Sequence, residues 1–131
     1  MVGGWHWEND MGDGTSLFTY AAFHPDGTYV ESFGEDGTDI GVWKPTGART
    51  ADLTHYSADV DPDPDVTVRV ESRLAIEVDE TDNTITAEGT YLGFGEDGAV
   101  LFSGPGIAQG TRLEVLPVIP PGTPAAATPA S

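Results

Sequence analysis

The side chains able to do chemistry here are three scattered histidines, a large excess of carboxylates, and aromatic residues recurring at strand spacing. His6, His24 and His55 form no His-x-His or His-Glu-x-x-His pattern, and the chain has no cysteine. A zinc site is therefore not expected, and no metal is assigned. A single His6 or His55 is all that a haem would find as a ligand, and no cofactor is assigned. Glu31 and Asp52 are the carboxylates to watch as catalytic candidates. Enclosed in an apolar interior, either would have its pKa raised by desolvation and serve as a general base. The simpler reading turns both to water, Glu31 opposite Ala21 and Asp52 through a bulge that lets Leu53 take its place. The acidic runs at 34–39 and 61–65 could gather oxygens around Ca²⁺, but neither follows the calcium-loop pattern, and solvated loops explain them more simply.

The aromatic residues suggest binding instead. Phe18 and Tyr20 alternate with Ala22, and Trp43, Tyr56 and Tyr91 come from other segments. Facing inward with Thr54, Ser72 and Ser103, they would line an apolar wall bearing a few hydroxyls, which suits a small, flat, mostly apolar ligand. The expected ligand-binding set is Phe18, Tyr20, Trp43, Tyr56, Ser72, Tyr91 and Ser103. The competing reading is that these rings simply fill the interior of a small barrel, although Ala22, Ala58, Ser72, Ala87 and Gly89 among them leave room.

Strands must position these groups. From Val66 to Asp79, Val66, Val68, Val70, Leu74, Ile76 and Val78 share one parity, and Thr67, Arg69, Glu71, Arg73, Glu77 and Asp79 share the other. That is a strand with one dry and one wet face, long enough that it must coil. Gly or Pro punctuates the rest at short intervals, with Asp-Gly pairs at 26–27, 36–37 and 97–98 where hairpins want positive φ. The reading is all-β: an eight- to nine-stranded antiparallel up-and-down barrel over residues 1–116, followed by a Pro/Ala-rich tail over 117–131. The last two strands are expected at 99–104 and 107–116.

Pairing across the turn at 80–83 sets Val78 against Ile85, Ile76 against Ala87, Leu74 against Gly89 and Ser72 against Tyr91. Pairing across 61–65 sets Val60 against Val66, Tyr56 against Val70 and Thr54 against Ser72, with His55 on the wet side. The same registry gathers Leu92, Phe94, Val100 and Phe102 on the outside. A strip of that kind wants a cover, either the 115–119 segment folding back or a second copy in a homodimer.

Composition narrows the function. In 131 residues, 22 acids oppose five bases, for a net charge of −17. Such a field repels phosphates, so nucleic acid is not an expected partner. No apolar run is long enough for a membrane-spanning helix. The start at Met1 has no basic and apolar leader, so the chain is expected to be cytoplasmic, or secreted or surface-bound if a leader was removed. No Ser-His-Asp triad, phosphate loop or nucleotide fingerprint is present.

Gly3-Gly4-Trp5 near the start and Gly110-Thr111-Arg112 in the last strand resemble the lipocalin (calycin) arrangement, in which a tryptophan floors the barrel under an arginine. Three further pieces resemble small bacterial lipocalin-like proteins: His24-Pro25-Asp26-Gly27-Thr28 with Glu31 and Ser32, Gly41-Val42-Trp43 with Thr46-Gly47 and Arg49-Thr50, and Leu101-Phe102-Ser103-Gly104. The chain departs from true lipocalins in having no cysteine and no clear helix before the last strand. The resemblance implies a barrel with a cavity, floored by Trp5 and Arg112. Two functions are carried forward. One is a carrier that binds a small hydrophobic or aromatic molecule. The other is a barrel isomerase or cyclase, resembling allene-oxide-cyclase-like and spirotetronate-cyclase barrels, that holds a flexible apolar substrate in a reactive shape.

Overall fold

Alternation of apolar and polar side chains lets a sheet bury one face, and curling that sheet shut removes its edges. In the computed structural model, which describes residues 1–58 and 69–122, eight antiparallel strands close into a barrel in chain order. They are β1 (Gly3–Asp10), β2 (Ser16–Phe23), β3 (Thr28–Ser32), β4 (Thr38–Pro45), β5 (Thr50–Ala58), β6 (Arg69–Val78), β7 (Thr84–Phe94) and β8 (Val100–Arg112). A single 3₁₀ turn at Gly34–Asp36 links β3 to β4. β1 closes the ring against β8, from Trp5 opposite Arg112 to Asn9 opposite Ala108.

The β6–β7 register is the expected one, with Val78 opposite Ile85 and Ser72 opposite Tyr91. The expected pair of final strands is instead the single strand β8, which runs through Pro105. A proline survives there because β1 pairs with β8 only from Ala108 to Arg112, so Pro105 lies opposite Thr90 of β7 in the part β1 does not reach.

The β5–β6 register corrects the expectation by one residue. Leu53 faces Leu74, Asp52 faces Ala75 and Tyr56 faces Glu71. A one-residue slip exchanges the two faces of a strand. Ala51, Leu53 and His55 therefore look inward and are buried, whereas Asp52 and Tyr56 are exposed. The cause is the apolar parity of Ala51 and Leu53, which would otherwise face water while Asp52 entered the core. The expected Val60–Val66 pairing lies outside the described residues.

The expected outer strip is corrected at one residue, Phe102, while Leu92, Phe94 and Val100 keep the outward side. An irregularity between Gly93 and Phe94 brings Val100 opposite Phe94 but Phe102 opposite Gly93. Phe102 thus shares the side of Tyr91, with ring centroids 6.1 Å apart, while Phe94 lies under the Arg69 guanidinium at 4.5 Å. Val115, Leu116, Val118 and Ile119 stay exposed and do not fold over this region. A second group of exposed apolar side chains, not expected, lies outside β2–β4: Phe18, Tyr20, Val30, Ile40 and Val42.

The core occupies one end of the barrel, where Trp5, Trp7, Phe23, Tyr29, Leu53, Ile76, Val78 and Ile85 are buried together. Arg112 caps it, with its guanidinium carbon 4.3 Å from the Trp5 ring and its nitrogens donating to the carbonyls of Asp82 (2.7 Å) and Val2 (2.9 Å). Gly3 makes space for that cap. It has φ of 123°, and a Cβ there would lie 2.9 Å from Arg112 Nη1.

Candidate functional site

Toward the other end the interior empties, because β7 and β8 turn small residues inward. Ala87 faces Ala108, Gly89 faces Gly106, Gly104 lies opposite Tyr91, and Leu74 reaches across so that a Cβ on Gly106 would meet its Cδ2 at 2.9 Å. The result is a cavity of about 460 Å³ that reaches the end where β1 turns into β2 and β3 into β4, bordered there by Met11 and Phe33. Its wall is largely apolar, with Leu17, Val70, Leu74 and Tyr91. Its volume lies in the range of small-molecule pockets. A larger depression of about 690 Å³ is lined mainly by outward residues, among them Glu8, Asp10, Asp52, Glu77 and Glu88, and is not part of the interior.

Polar side chains gather on the β1–β5 side of the cavity. Glu31, on β3, is 3 % exposed, and Asp39, directly opposite on β4, is 6 % exposed. The Glu31 carboxylate accepts from the Thr19 hydroxyl at 2.7 Å and the Tyr29 hydroxyl at 2.5 Å. Asn9 in turn donates to Thr19 Oγ1 at 3.0 Å and to the Leu17 carbonyl at 3.0 Å. Asp39 Oδ2 lies 2.8 Å from His55 Nδ1, and both side chains are buried. Gly41 makes this pair possible, since a Cβ there would sit 2.5 Å from the Thr54 carbonyl oxygen and 2.7 Å from His55 Cβ. Among the described residues nothing bonds His55 Nε2.

No known protein family, curated protein or solved structure matches this chain. What the site can do is therefore read from its own geometry. A carboxylate on Nδ1 fixes the imidazole tautomer and leaves Nε2 as the basic nitrogen. The Tyr29 hydroxyl is pushed well above its ordinary pKa, first by burial and then by the neighbouring Glu31 carboxylate, so it stays a donor. The Trp7 indole N–H is buried without a good hydrogen bond among the described residues, although it lies near enough to Tyr29 to favour the phenolate slightly. The described residues contain no group of three or more His, Cys, Asp or Glu able to hold a metal ion.

Of the residues singled out in the sequence, Ser72 and Tyr91 border the cavity, and so does Glu31, which was expected to face water. Phe18 and Tyr20 do not. They are 57 % and 58 % exposed and stack on His6, outside the barrel, at 5.5 and 4.9 Å. β2 is apolar on both parities, and the ring spends Thr19, Ala21 and Phe23 on its inner side. Tyr56 and Asp52 face out with the corrected β5 register. Ser103, opposite Leu92, is exposed as well. Trp43 points inward but at the closed end, edge-on to Phe23 at 5.7 Å, with its indole donating to the His24 carbonyl at 3.0 Å. Asn9, Thr19 and Tyr29 were not anticipated, Asp39 entered only within the acidic run at 34–39, and His55 was placed on the wet side. For His55 a signal existed in the shared parity of Ala51, Leu53 and His55. For Asp39 none did, since it is one of 22 acids.

Proposed function

We propose that the open half of the barrel binds one small, mostly apolar molecule bearing a polar head, in the manner of a lipocalin-like carrier. The observation that carries this reading is the cavity of about 460 Å³, with an apolar wall on one side and buried hydrogen-bonding groups on the other. Apolar surface supplies affinity, and a few placed polar groups set orientation. A neutral fluorescent probe, N-phenyl-1-naphthylamine, tests it. Saturable one-to-one binding is expected, abolished by Leu74→Trp, which fills the space. Absence of saturable binding to the unaltered protein overturns the reading.

The Asp39–His55 pair favours a second reading, the barrel isomerase or cyclase. A carrier has no need of an oriented base, whereas an enolising or cyclising barrel does. Here His55 Nε2 takes or returns a proton while Leu74 and Tyr91 hold the substrate's shape. Turnover of a polyene or enone panel that disappears in His55→Gln, with probe binding retained, would favour this reading over the carrier.

A further inference from the structure

We infer that the cavity's occupant is a lipophilic cation, an amine whose ammonium group lies against Glu31 and Asp39 and whose apolar part lies along Leu17, Leu74 and Tyr91. This rests on the binding reading above and goes further by naming the ligand's charge.

The argument is one of charge balance. Glu31 and Asp39 are directly opposed on neighbouring strands, both turned into the barrel and both buried. Like charges so placed repel, and burial strengthens the repulsion. The groups that hold Glu31 are hydroxyls, which carry no charge. The only nearby group able to become positive is His55, and it can offset one carboxylate at most.

No other cation of the chain reaches them. The five basic residues are all outside the cavity: Lys44 and Arg73 are exposed on outward positions, Arg69 lies on Phe94, Arg49 pairs with Asp82 at 2.8 Å, and Arg112 caps Trp5 at the far end. The sequence has no further Lys or Arg that could be brought in. With both carboxylates ionised, His55 balances one at most and the other faces the cavity without a cationic partner, so a bound cation is what lets both keep their charge. An ammonium group supplies the missing partner. A fatty acid would add a third negative charge, and a neutral alcohol would leave the imbalance in place.

Decylamine, decanol and decanoate, titrated calorimetrically into the full chain at neutral pH and moderate salt, test this with one tail and three heads. The amine is expected to bind about tenfold tighter than the alcohol, the worth of one charge-assisted hydrogen bond, with decanoate weakest. Glu31→Gln is expected to remove most of that preference, and Asp52→Asn/Glu88→Gln, on the outer surface, to leave it intact. If decanol or decanoate binds as tightly as decylamine, the charge inference is overturned while cavity binding stands. If none of the three binds, both fall. An amine preference that survives Glu31→Gln and vanishes in the surface variant belongs to the acidic exterior and also overturns the inference. The three-ligand comparison needs only the unaltered protein, so it decides even if Glu31→Gln fails to fold.

Discussion

Between its two ends the barrel changes what its strands put inside. At the closed end they supply Trp5, Trp7, Phe23, Leu53, Ile76, Val78 and Ile85, packed under the Arg112 cap. At the open end the strands supply Asn9, Glu31, Asp39, His55 and Ser72 around empty space, with glycines on β7 and β8 where the closed end has Ile85. Burial of large apolar side chains is what stabilises a domain of this size. Buried carboxylates and a void both work against it. The closed half thus stabilises the ring, and the open half retains groups that an apolar filling would improve on. Residues kept against stability point to a task.

That contrast predicts unequal responses to truncation. Trp7→Ala should cost about 3–5 kcal/mol in urea unfolding. Leu74→Ala, whose side chain already borders the cavity, should cost only about 1–2 kcal/mol. Equal losses would erase the distinction between the halves.

Next in size is the Asp39–His55 pair. His55→Ala leaves a buried carboxylate without its partner and should cost about 1–3 kcal/mol. The double change Asp39→Leu/His55→Leu should be close to neutral, because both polar groups leave together. A double variant as damaged as the single one would place the pair in the stabilising half after all.

Two pH effects are smaller. Tyr29 has a pKa raised by burial, so its contribution is complete below the ordinary tyrosine value of 10.0 and is lost as pH rises above it, when the unfolded chain ionises first. Thermal melts should show Tyr29→Phe losing less stability than the unaltered protein across that alkaline range. The smallest effect belongs to the exposed turn at the closed end. Asp79 has its pKa lowered to about 2, first by the Thr84 hydroxyl and then by the Thr81 hydroxyl, which donates to it at 2.8 Å, helped by the Thr84 backbone N–H at 3.3 Å. Its contribution is present above the ordinary carboxylate range and fades as pH falls toward about 2. The gap in melting temperature between the unaltered protein and Asp79→Asn should therefore narrow on acidification.

Legibility followed the same division. The closed half could be read because β6 alternates strictly, and the short turn at 80–83 fixes its register with β7. The Trp5–Arg112 cap was readable only through resemblance, since nothing in the spacing alone brings residues so far apart in the chain together. The open half was harder for three physical reasons. β2 has apolar residues on both sides, so Phe18 and Tyr20 were no better marked as inward than Leu17 and Phe23. β5 was registered from its loop rather than from Ala51 and Leu53, and one residue's error hid His55. Buried carboxylates in a chain of net charge −17 look like any others until the opposite strand is known.

The central claim is that the open half is an interior binding site. The most direct test is the structure in solution with N-phenyl-1-naphthylamine bound, read from intermolecular nuclear Overhauser contacts. The account predicts contacts from the probe to Leu17, Leu74 and Tyr91, and none to Ile85 or Val78. Contacts confined to Phe18, Tyr20, Val30 and Ile40 on the outer face would contradict it.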